Sequence, residues 1–512
     1  MVHSRHEMNL TSNGNGNGNG TRGLVRQLEK KLVKPQTANA PLAVKESRVA
    51  FHTADGMELR GTLVRLTRHV VVFELYNPGA TLRLSEALDK FGIVFQERMI
   101  YSGRAVVRGV VDAGTKIVCE ATLDESNWTD LNFALALQRE GGLAMEFKNF
   151  LKEWQKLYKV SPEFKIVVAD LHSFLSDLRS WLDQVEIVIR NISGTDRAER
   201  EREMLHNLEP RTSSAIQSLT ERFEDVLNRT ESDLIPAHHA FCQRLMHPIT
   251  LCSPFMHRTF YKPLGYAGDY EMVNMMFRDP FEGESLFAKM LNFYALQLPP
   301  IVGHRNRIRY LGEKLEKESL RVMVRRRDAR VFSLGCGPAQ EVQCFLARDE
   351  LANHTHFTLA DFNQETLKQT GAILDGLKQK YSRRGSIQMV RQNVQQLLKA
   401  AGRNVEYPRC DQHDLIYCAG LFDYVTDQVC RQLMDVFYAM LAPGGLLIVT
   451  NVDNHPARNQ MECFLDWHLV HRDTAKMRTL VPKKLDIQNV VTKRDPSGVN
   501  VFMEVRKPGG EN

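Results

Sequence analysis

The chain has 512 residues, too many for one hydrophobic core, so we expect two to four domains of about 100–200 residues each. Hydrophobic residues make up 43% and charged residues 25%, and a net charge of +6 spread over so large a surface gives no argument for a nucleic-acid partner. Nine cysteines without a CxxC pair, and no apolar run of roughly 20 residues, predict a cytoplasmic protein without a disulfide framework, metal site or membrane span.

The N-terminal part divides into a tail and a β-rich segment. Gly-Asn alternation in "TSNGNGNGNG" cannot form a core, so residues 1–40 are predicted to be a flexible tail. Over residues 41–125, short runs of alternating apolar and polar residues are separated by the turns Asn77-Pro78-Gly79 and Asp112-Ala113-Gly114. This pattern predicts a small β-barrel.

The last strands of this barrel, "SGRAVVRGVVDAGTKIVCEATL", resemble those of PilZ-like barrels. The resemblance implies cyclic di-GMP binding through an Arg-rich stretch and a D/N-x-S-x-x-G motif. Here "KESRVAF" supplies only Arg48, and "ELYNPGATLRL" replaces the second motif. Because arginine is the residue that pairs with phosphate and stacks on guanine, we expect a degenerate barrel that does not bind the dinucleotide. Binding of cyclic di-GMP remains the alternative.

Residues 126–300 carry apolar residues at helical spacing together with charged, helix-prone stretches. We predict a helical connecting region, with homodimer formation left open. Near its end, "YKPLGYAGDYEM" places tyrosines and a carboxylate around two glycines, which is typical of a lid over a site. Tyr266 and Asp269 are therefore candidate catalytic residues, and docking of the helices onto the next domain is the alternative.

Residues 301–512 alternate continuous apolar strands with amphipathic helices, which indicates a doubly wound α/β sheet. The last two strands flank the turn "DPSG" and must therefore be antiparallel neighbours. A parallel sheet closed by an antiparallel hairpin distinguishes the seven-stranded class I methyltransferase fold from the dinucleotide-binding one.

The turn in "VFSLGCGPAQE" decides between cofactors. Gly335 and Gly337 match a dinucleotide fingerprint, but Gln340 stands where the third glycine belongs. The turn is therefore poorly suited to a pyrophosphate. A cofactor without phosphate needs only to approach the backbone of the turn closely, and a small residue such as Ala339 allows this. Asp361 ends the second strand and can accept ribose hydroxyls, or cap the next helix. Asn393, after the third strand, can reach an adenine amino group or cap a helix.

These segments, in this order, resemble class I S-adenosylmethionine-dependent methyltransferases over residues 300–505. The resemblance implies S-adenosylmethionine as cofactor, with binding residues Gly335, Cys336, Gly337, Asp361, Phe362, Asn393, Ala419 and Leu421. Tyr424 follows the fourth strand, near the expected position of the methyl group, and is the third catalytic candidate.

Two flanking stretches, "YKPLGYAGDYEMVNMMF" and "RNQMECFLDWHLVHRD", resemble the bacterial extracellular-factor 3-hydroxypalmitic acid methyl ester biosynthesis family. That resemblance implies methylation of a fatty-acid carboxylate to give a signalling ester. The second stretch is predicted to be one helix, on which Arg458, Glu462 and Asp466 share a face and Trp467 and Arg472 line a channel or a covering surface. Arg305, Arg307 and Arg309 could bind a carboxylate or form a solvated face.

The predicted function is thus methyl transfer to a small molecule, with a fatty-acyl carboxylate as one acceptor. The alternative is a cyclic di-GMP-responsive signalling protein whose methyltransferase domain is regulated or only binds ligand. Methylation of RNA or protein ranks last, because the chain shows no basic and aromatic stacking platform.

Overall fold

A computed structural model describes residues 48–509, apart from 55, 76–81, 96–97, 113–115, 125–127, 129–159, 192–195, 403–411 and 483–486. The described residues belong to one compact unit, residues 46–512. The tail predicted over residues 1–40 lies outside them.

The N-terminal strands form a closed six-stranded barrel in the order β1-β2-β3-β6-β5-β4. The strands are β1 (Arg48–His52), β2 (Glu58–Leu66), β3 (Val70–Leu75), β4 (Ala87–Phe95), β5 (Arg98–Asp112) and β6 (Ile117–Leu123). Alternate residues point inward, and the rings of Phe51, Phe73 and Phe91 meet in the interior with centroids 5.3 to 5.6 Å apart. The predicted small barrel is confirmed.

The middle of the chain is helical where it is described. Its helices are α1 (Pro162–Arg190), α2 (Asp196–Arg229), α3 (Ile235–Thr250), α4 (Pro254–Tyr261), α5 (Tyr270–Met275), α6 (Leu286–Leu296) and α7 (Pro299–Met323). Serine side chains begin three of them: Ser161, Ser253 and Ser285 accept backbone N–H groups of the first turn. Within the described residues, no helix has the length and apolar character that crossing a membrane requires.

The C-terminal part is a seven-stranded sheet in the order β12-β13-β11-β10-β7-β8-β9. Its strands are β7 (Ala329–Leu334), β8 (Thr355–Asp361), β9 (Ile387–Arg391), β10 (His413–Cys418), β11 (Leu441–Val452), β12 (Val490–Arg494) and β13 (Asn500–Arg506). Helices α8 (Gln340–Arg348), α9 (Gln364–Lys380), α10 (Val394–Gly402), α11 (Asp427–Met440), α12 (Arg458–Leu465) and α13 (Thr474–Arg478) connect or follow the strands. Strand β13 is antiparallel to both β11 and β12, whereas β7 to β11 pair in parallel.

Both faces of this sheet are buried, which explains its continuous apolar strands. Val331 and Leu415 face the core formed with α7, α8 and α9, while their neighbours Phe332 and Ile416 face the core formed with α10 and α11. The strand order with one antiparallel strand is that of the class I methyltransferase fold. The predicted fold class is therefore confirmed.

The barrel packs directly against the other two parts. We call residues 262–269, between α4 and α5, the lid loop. The N–H of Ala87 donates to the carbonyl of Gly265 in this loop at 2.7 Å. The Ser85 hydroxyl donates to the carbonyl of His468 at 2.8 Å, and the Arg104 guanidinium donates to the carbonyl of Phe260 at 2.6 Å.

Candidate active site

A cavity of about 140 Å³ lies at the carboxyl ends of β7, β8 and β10, beneath the lid loop and one edge of the barrel. In open α/β sheets, ligands bind at this end of the strands. The cavity is lined by ten of the eleven predicted site residues, which are Gly335, Cys336, Gly337, Asp361, Phe362, Asn393, Ala419, Leu421, Tyr266 and Tyr424. The eleventh, Asp269, does not line it.

The turn after β7 forms the floor of the cavity. The N–H groups of Gly335 and Cys336 both donate to the carbonyl of Ala360 at the end of β8, at 2.8 and 3.1 Å. Gly335, Gly337 and Ala339 have φ values of +70°, +52° and +49°, the left-handed region that favours glycine. A Cβ at Gly337 would meet no atom within 4 Å, so the backbone there faces open space. Burial raises the pKa of the Cys336 thiol, which keeps it neutral.

Asp361 ends β8 beside this turn and is buried. One carboxylate oxygen accepts the N–H of Gly337 at 3.2 Å, and the other accepts the N–H of Asn363 at 3.0 Å. Asn363, not Asp361, caps α9 with its side chain. A carboxylate has about four lone-pair sites, so these two hydrogen bonds leave acceptor capacity facing the cavity. Burial raises the pKa of Asp361 above its usual value.

Phe362 and the lid-loop residue Tyr266 close the cavity beside Asp361. Their ring centroids are 4.9 Å apart, and the Tyr266 hydroxyl lies 3.4 Å from the Thr366 hydroxyl. Burial raises the pKa of Tyr266, so its phenol is protonated at neutral pH. The lid loop therefore covers the β8 end of the site.

Asp269 holds the lid loop in place. Its carboxylate accepts the N–H of Met272 at 2.8 Å, capping α5, and the Arg258 Nε–H at 2.9 Å. Its side chain is 2% exposed and does not line the cavity. These contacts hold the lid loop, and the catalytic role predicted for Asp269 stays a prediction.

Asn393 lies at the beginning of α10 and belongs to a capping box. Its side-chain oxygen accepts the N–H of Gln396 at 2.8 Å, and the Gln396 side chain accepts the N–H of Asn393 at 3.0 Å. The carbonyl is thereby engaged. Asn393 lines the cavity beside Gln392 and Val394.

Of the three arginines predicted on α7, Arg307 lines the cavity. It is 5% exposed and donates to the His304 ring at about 3 Å. Its Nη1 is 3.9 Å from the carboxylate of Asp423, which is too far for a hydrogen bond. Its Nε–H is buried and has no hydrogen-bond partner among the described residues. Arg305 instead donates to the carbonyl of Leu296.

The turn after β10 is shaped around Arg307. Gly420 has φ +91°, and a Cβ there would lie 2.9 Å from Nη2 of Arg307. Ala419 and Leu421 flank this glycine and line the cavity. Because Gly420 has no Cβ, the buried Arg307 guanidinium can lie against this turn and reach the cavity.

Tyr424 and Trp467 form the wall beyond this turn. The Trp467 indole N–H donates to the Tyr424 hydroxyl at 2.9 Å, and burial raises the pKa of that phenol. The rest of this wall is apolar: Val273, Pro300, Val452, Met461 and Leu469. One end of the cavity is thus polar and the other mainly apolar.

Two site residues had no predicted role. Glu341 at the beginning of α8 is 3% exposed, accepts the Tyr417 hydroxyl at 2.8 Å, and has its pKa raised by burial. His304 precedes Arg307 by three positions, so helical spacing could have placed both on one face. Glu341 comes four residues after Gly337, and this position close to the glycine turn could have indicated it as a site residue.

The helix predicted over "RNQMECFLDWHLVHRD" is shorter than expected, and that prediction was wrong after Leu465. Asp466 adopts φ +47° and ends α12. Its carboxylate accepts from the Gln243 amide at 3.0 Å, so it does not share a helix face with Arg458 and Glu462. Arg472 lines no channel, because its buried guanidinium donates to the carbonyls of Phe422 and Val425.

Two buried histidines, His239 and His455, do not line the cavity. Burial lowers the pKa values of His239 and His455 to about 3, and both are neutral at pH 7. Unfolded histidine has a pKa near 6.5, so below that pH the unfolded chain binds protons that the folded chain does not. The free energy of unfolding should therefore fall as the pH is lowered from 7 towards 4.

Urea unfolding at pH 7, 6 and 5 measures this dependence. His239→Gln should flatten it by up to about 1.4 kcal/mol per pH unit, while His206→Gln, at an exposed position, should not. An unchanged slope in His239→Gln would contradict the assignment.

No family model matches the chain, and no curated protein matches it. Solved structures do. A possible exported protein from Bordetella parapertussis has a TM-score of 0.37 at 15% identity, over 62% of this chain and 100% of that one.

Several of the similar structures are methyltransferases. N-methyltransferase NodS from Bradyrhizobium japonicum WM9 has a TM-score of 0.24 at 15% identity, over 38% of this chain and 96% of that one. Magnesium protoporphyrin IX methyltransferase from Synechocystis PCC 6803, with bound SAH, has a TM-score of 0.29 at 10% identity, over 40% and 84%. With TM-scores this low, function has to be inferred from the site itself.

Proposed function

We propose that this chain is an S-adenosylmethionine-dependent methyltransferase. The observation that carries the proposal is the pairing of the glycine turn at 335–337 with Asp361, whose carboxylate is fixed by that turn and keeps free acceptor capacity. Ribose hydroxyls are donors of the kind that such a carboxylate binds. Gln340 at the position of the third glycine disfavours a dinucleotide, and its amide is already used to donate to Asn274.

The polar end of the cavity suits the amino-acid half of the same cofactor. The unused Nε–H of Arg307 would donate to its carboxylate, since guanidinium and carboxylate form charge-assisted hydrogen bonds. Glu341 would accept from its ammonium group. When bound, S-adenosylmethionine would supply a sulfonium methyl group, whose carbon bonds to the acceptor atom as the carbon–sulfur bond breaks in line and SAH is released.

Near the apolar end, the side chains are better suited to positioning a methyl acceptor than to deprotonating it. Tyr424 at this end is a protonated phenol that can donate a hydrogen bond. Tyr266, at the β8 end, is also protonated, and Asp269, which does not line the cavity, is engaged by Arg258. A carboxylate is ionised at pH 7 and needs no general base, whereas a hydroxyl or amine benefits from one. We therefore favour a carboxylate acceptor on an apolar molecule, such as a fatty acid, which would become a methyl ester.

Calorimetry with SAH, the product form of the cofactor, tests the first part. Binding is expected, and absence of binding would refute the proposed function. Incubation of the protein with methyl-labelled S-adenosylmethionine and a lipid and metabolite extract, with mass analysis of the products, tests the acceptor. A methyl ester supports the carboxylate, while a methylated hydroxyl or amine refutes it and makes Asp423 the candidate base.

A further inference from the structure

The barrel supplies two residues, Arg83 and Leu84, to the wall of the cavity. The guanidinium carbon of Arg83 lies 4.0 Å from the centroid of the Phe362 ring. Phe362 follows Asp361, the last residue of β8. Arginine at this distance over an aromatic face makes a cation–π contact. The β8 end of the site is thus closed jointly by the sheet, the lid loop and the barrel.

Arg83 belongs to residues 82–87, which we call the barrel strap. Hydrogen bonds to the barrel hold this stretch in place. The Glu86 carboxylate accepts the N–H of Arg83 at 2.9 Å and that of Ala54 at 3.0 Å. Ser85 has φ +59°, a strained conformation for a serine, and its N–H donates to the carbonyl of Val107. Such strain persists only where surrounding contacts determine the conformation, and it is concentrated at ligand sites.

The barrel strap also contacts the methyltransferase side. The N–H of Leu84 donates to the carbonyl of Tyr424 at 3.3 Å, and the Ser85 hydroxyl donates to the carbonyl of His468. These contacts surround Arg83 in the chain. The position of its backbone at the cavity is therefore well determined.

The Arg83 guanidinium is available for a ligand. Among the described residues, no salt bridge joins it to a carboxylate, although its charge lowers the pKa of Asp361 against the larger effect of burial. Asp361 and Arg83 line the same cavity. The planar Arg83 guanidinium donates hydrogen bonds and the Asp361 carboxylate accepts them. Together they suit a ligand that carries both acceptors and donors.

We propose that Arg83 of the barrel binds the adenosine half of the cofactor, so that the donor site is built from two domains. Adenine ring nitrogens and ribose oxygens are acceptors that the guanidinium can use while it stays stacked on Phe362. This inference rests on the proposed function, because it assumes that the cavity holds S-adenosylmethionine.

Calorimetry on the full-length chain tests the proposal with two probes, SAH and 5′-methylthioadenosine, which has the nucleoside but lacks the amino-acid half. Arg83→Ala should weaken the binding of both by the same factor, about ten-fold. Arg307→Met should weaken SAH while leaving 5′-methylthioadenosine unchanged. Arg60→Ala, on the exposed side of the barrel, should change neither.

Unchanged SAH binding in Arg83→Ala would overturn the proposal and leave the proposed function intact, whereas a wild type that binds no SAH would refute the function itself. Loss of SAH but not of 5′-methylthioadenosine would place Arg83 at the amino-acid half and also overturn the proposal. Arg83→Lys, which keeps the charge and loses the planar fork, should show a smaller loss in both probes and guards against misfolding of the alanine variant.

Discussion

Asp361→Asn is expected to lower the affinity for SAH about 10- to 100-fold, and methyl transfer with it. Asparagine keeps the size of the side chain, but it replaces one acceptor oxygen by a donor and removes the charge. The backbone N–H groups of Gly337 and Asn363 would then compete with the ribose hydroxyls for a single oxygen. Calorimetric titration with SAH measures the change.

The ligand-free Asp361→Asn protein should differ from wild type in stability to urea by no more than about 1–2 kcal/mol, because two effects oppose each other. Burial raises the pKa of Asp361, so removal of its charge favours folding, whereas one of the two backbone N–H groups loses its acceptor oxygen. Asp375→Asn, at an exposed position of α9, is the matched control and should bind SAH normally. Wild-type affinity in Asp361→Asn would contradict the assignment of this residue to the ribose.

Gly265→Ala is expected to destabilise the protein by about 1–3 kcal/mol and to weaken SAH binding several-fold. Gly265 has φ +82°, and an added Cβ would lie 2.8 Å from the Cβ of Ala54 in the barrel. The carbonyl of Gly265 also accepts the N–H of Ala87, which ends the barrel strap. A shift of the lid loop would therefore move the strap and Arg83 together. Urea unfolding and calorimetry measure the two effects.

Two further variants separate the effect of the contact with Ala54 from that of the strained φ at residue 265. Gly312→Ala lies within α7, where an added Cβ meets no atom within 4 Å, so it should be neutral or slightly stabilising. Ala54→Gly combined with Gly265→Ala removes the contact with the Ala54 Cβ but leaves the Cα of residue 54 at 3.1 Å and the strained φ, and should restore part of the SAH affinity. Normal stability and affinity in Gly265→Ala alone would show that the barrel is not coupled to the site.

Sequence reasoning was most successful where chemistry follows directly from a strand end. The turn at Gly335 and Gly337 and the carboxylate at Asp361 each come within a few residues of an apolar strand, and parallel strands bring their carboxyl ends together. The doubly wound sheet followed from the alternation of strands and helices, and the antiparallel pairing of β12 and β13 followed from the short turn between them. Local patterns were sufficient for these features.

The remaining features depend on contacts between distant segments. Asp466 ends α12 because its carboxylate binds Gln243, a residue more than two hundred positions earlier, and the helical pattern of the stretch gives no sign of this. Asp269 was predicted as a catalytic candidate by residue type, and its ion pair with Arg258, which lies outside the motif's own pattern, could not be read from the sequence. Arg83 lies in a barrel stretch without a motif, and only the docking of the barrel brings it to Phe362.

The hydrogen bond between Ser85 and His468 joins residues 383 positions apart. During synthesis, the barrel strands leave the ribosome long before the segment that holds the strap in place. Contacts between such distant positions close large loops and form late in folding. The wall that Arg83 adds to the cavity is consequently completed among the last steps, and cofactor affinity should report on whether the whole chain has reached its native topology.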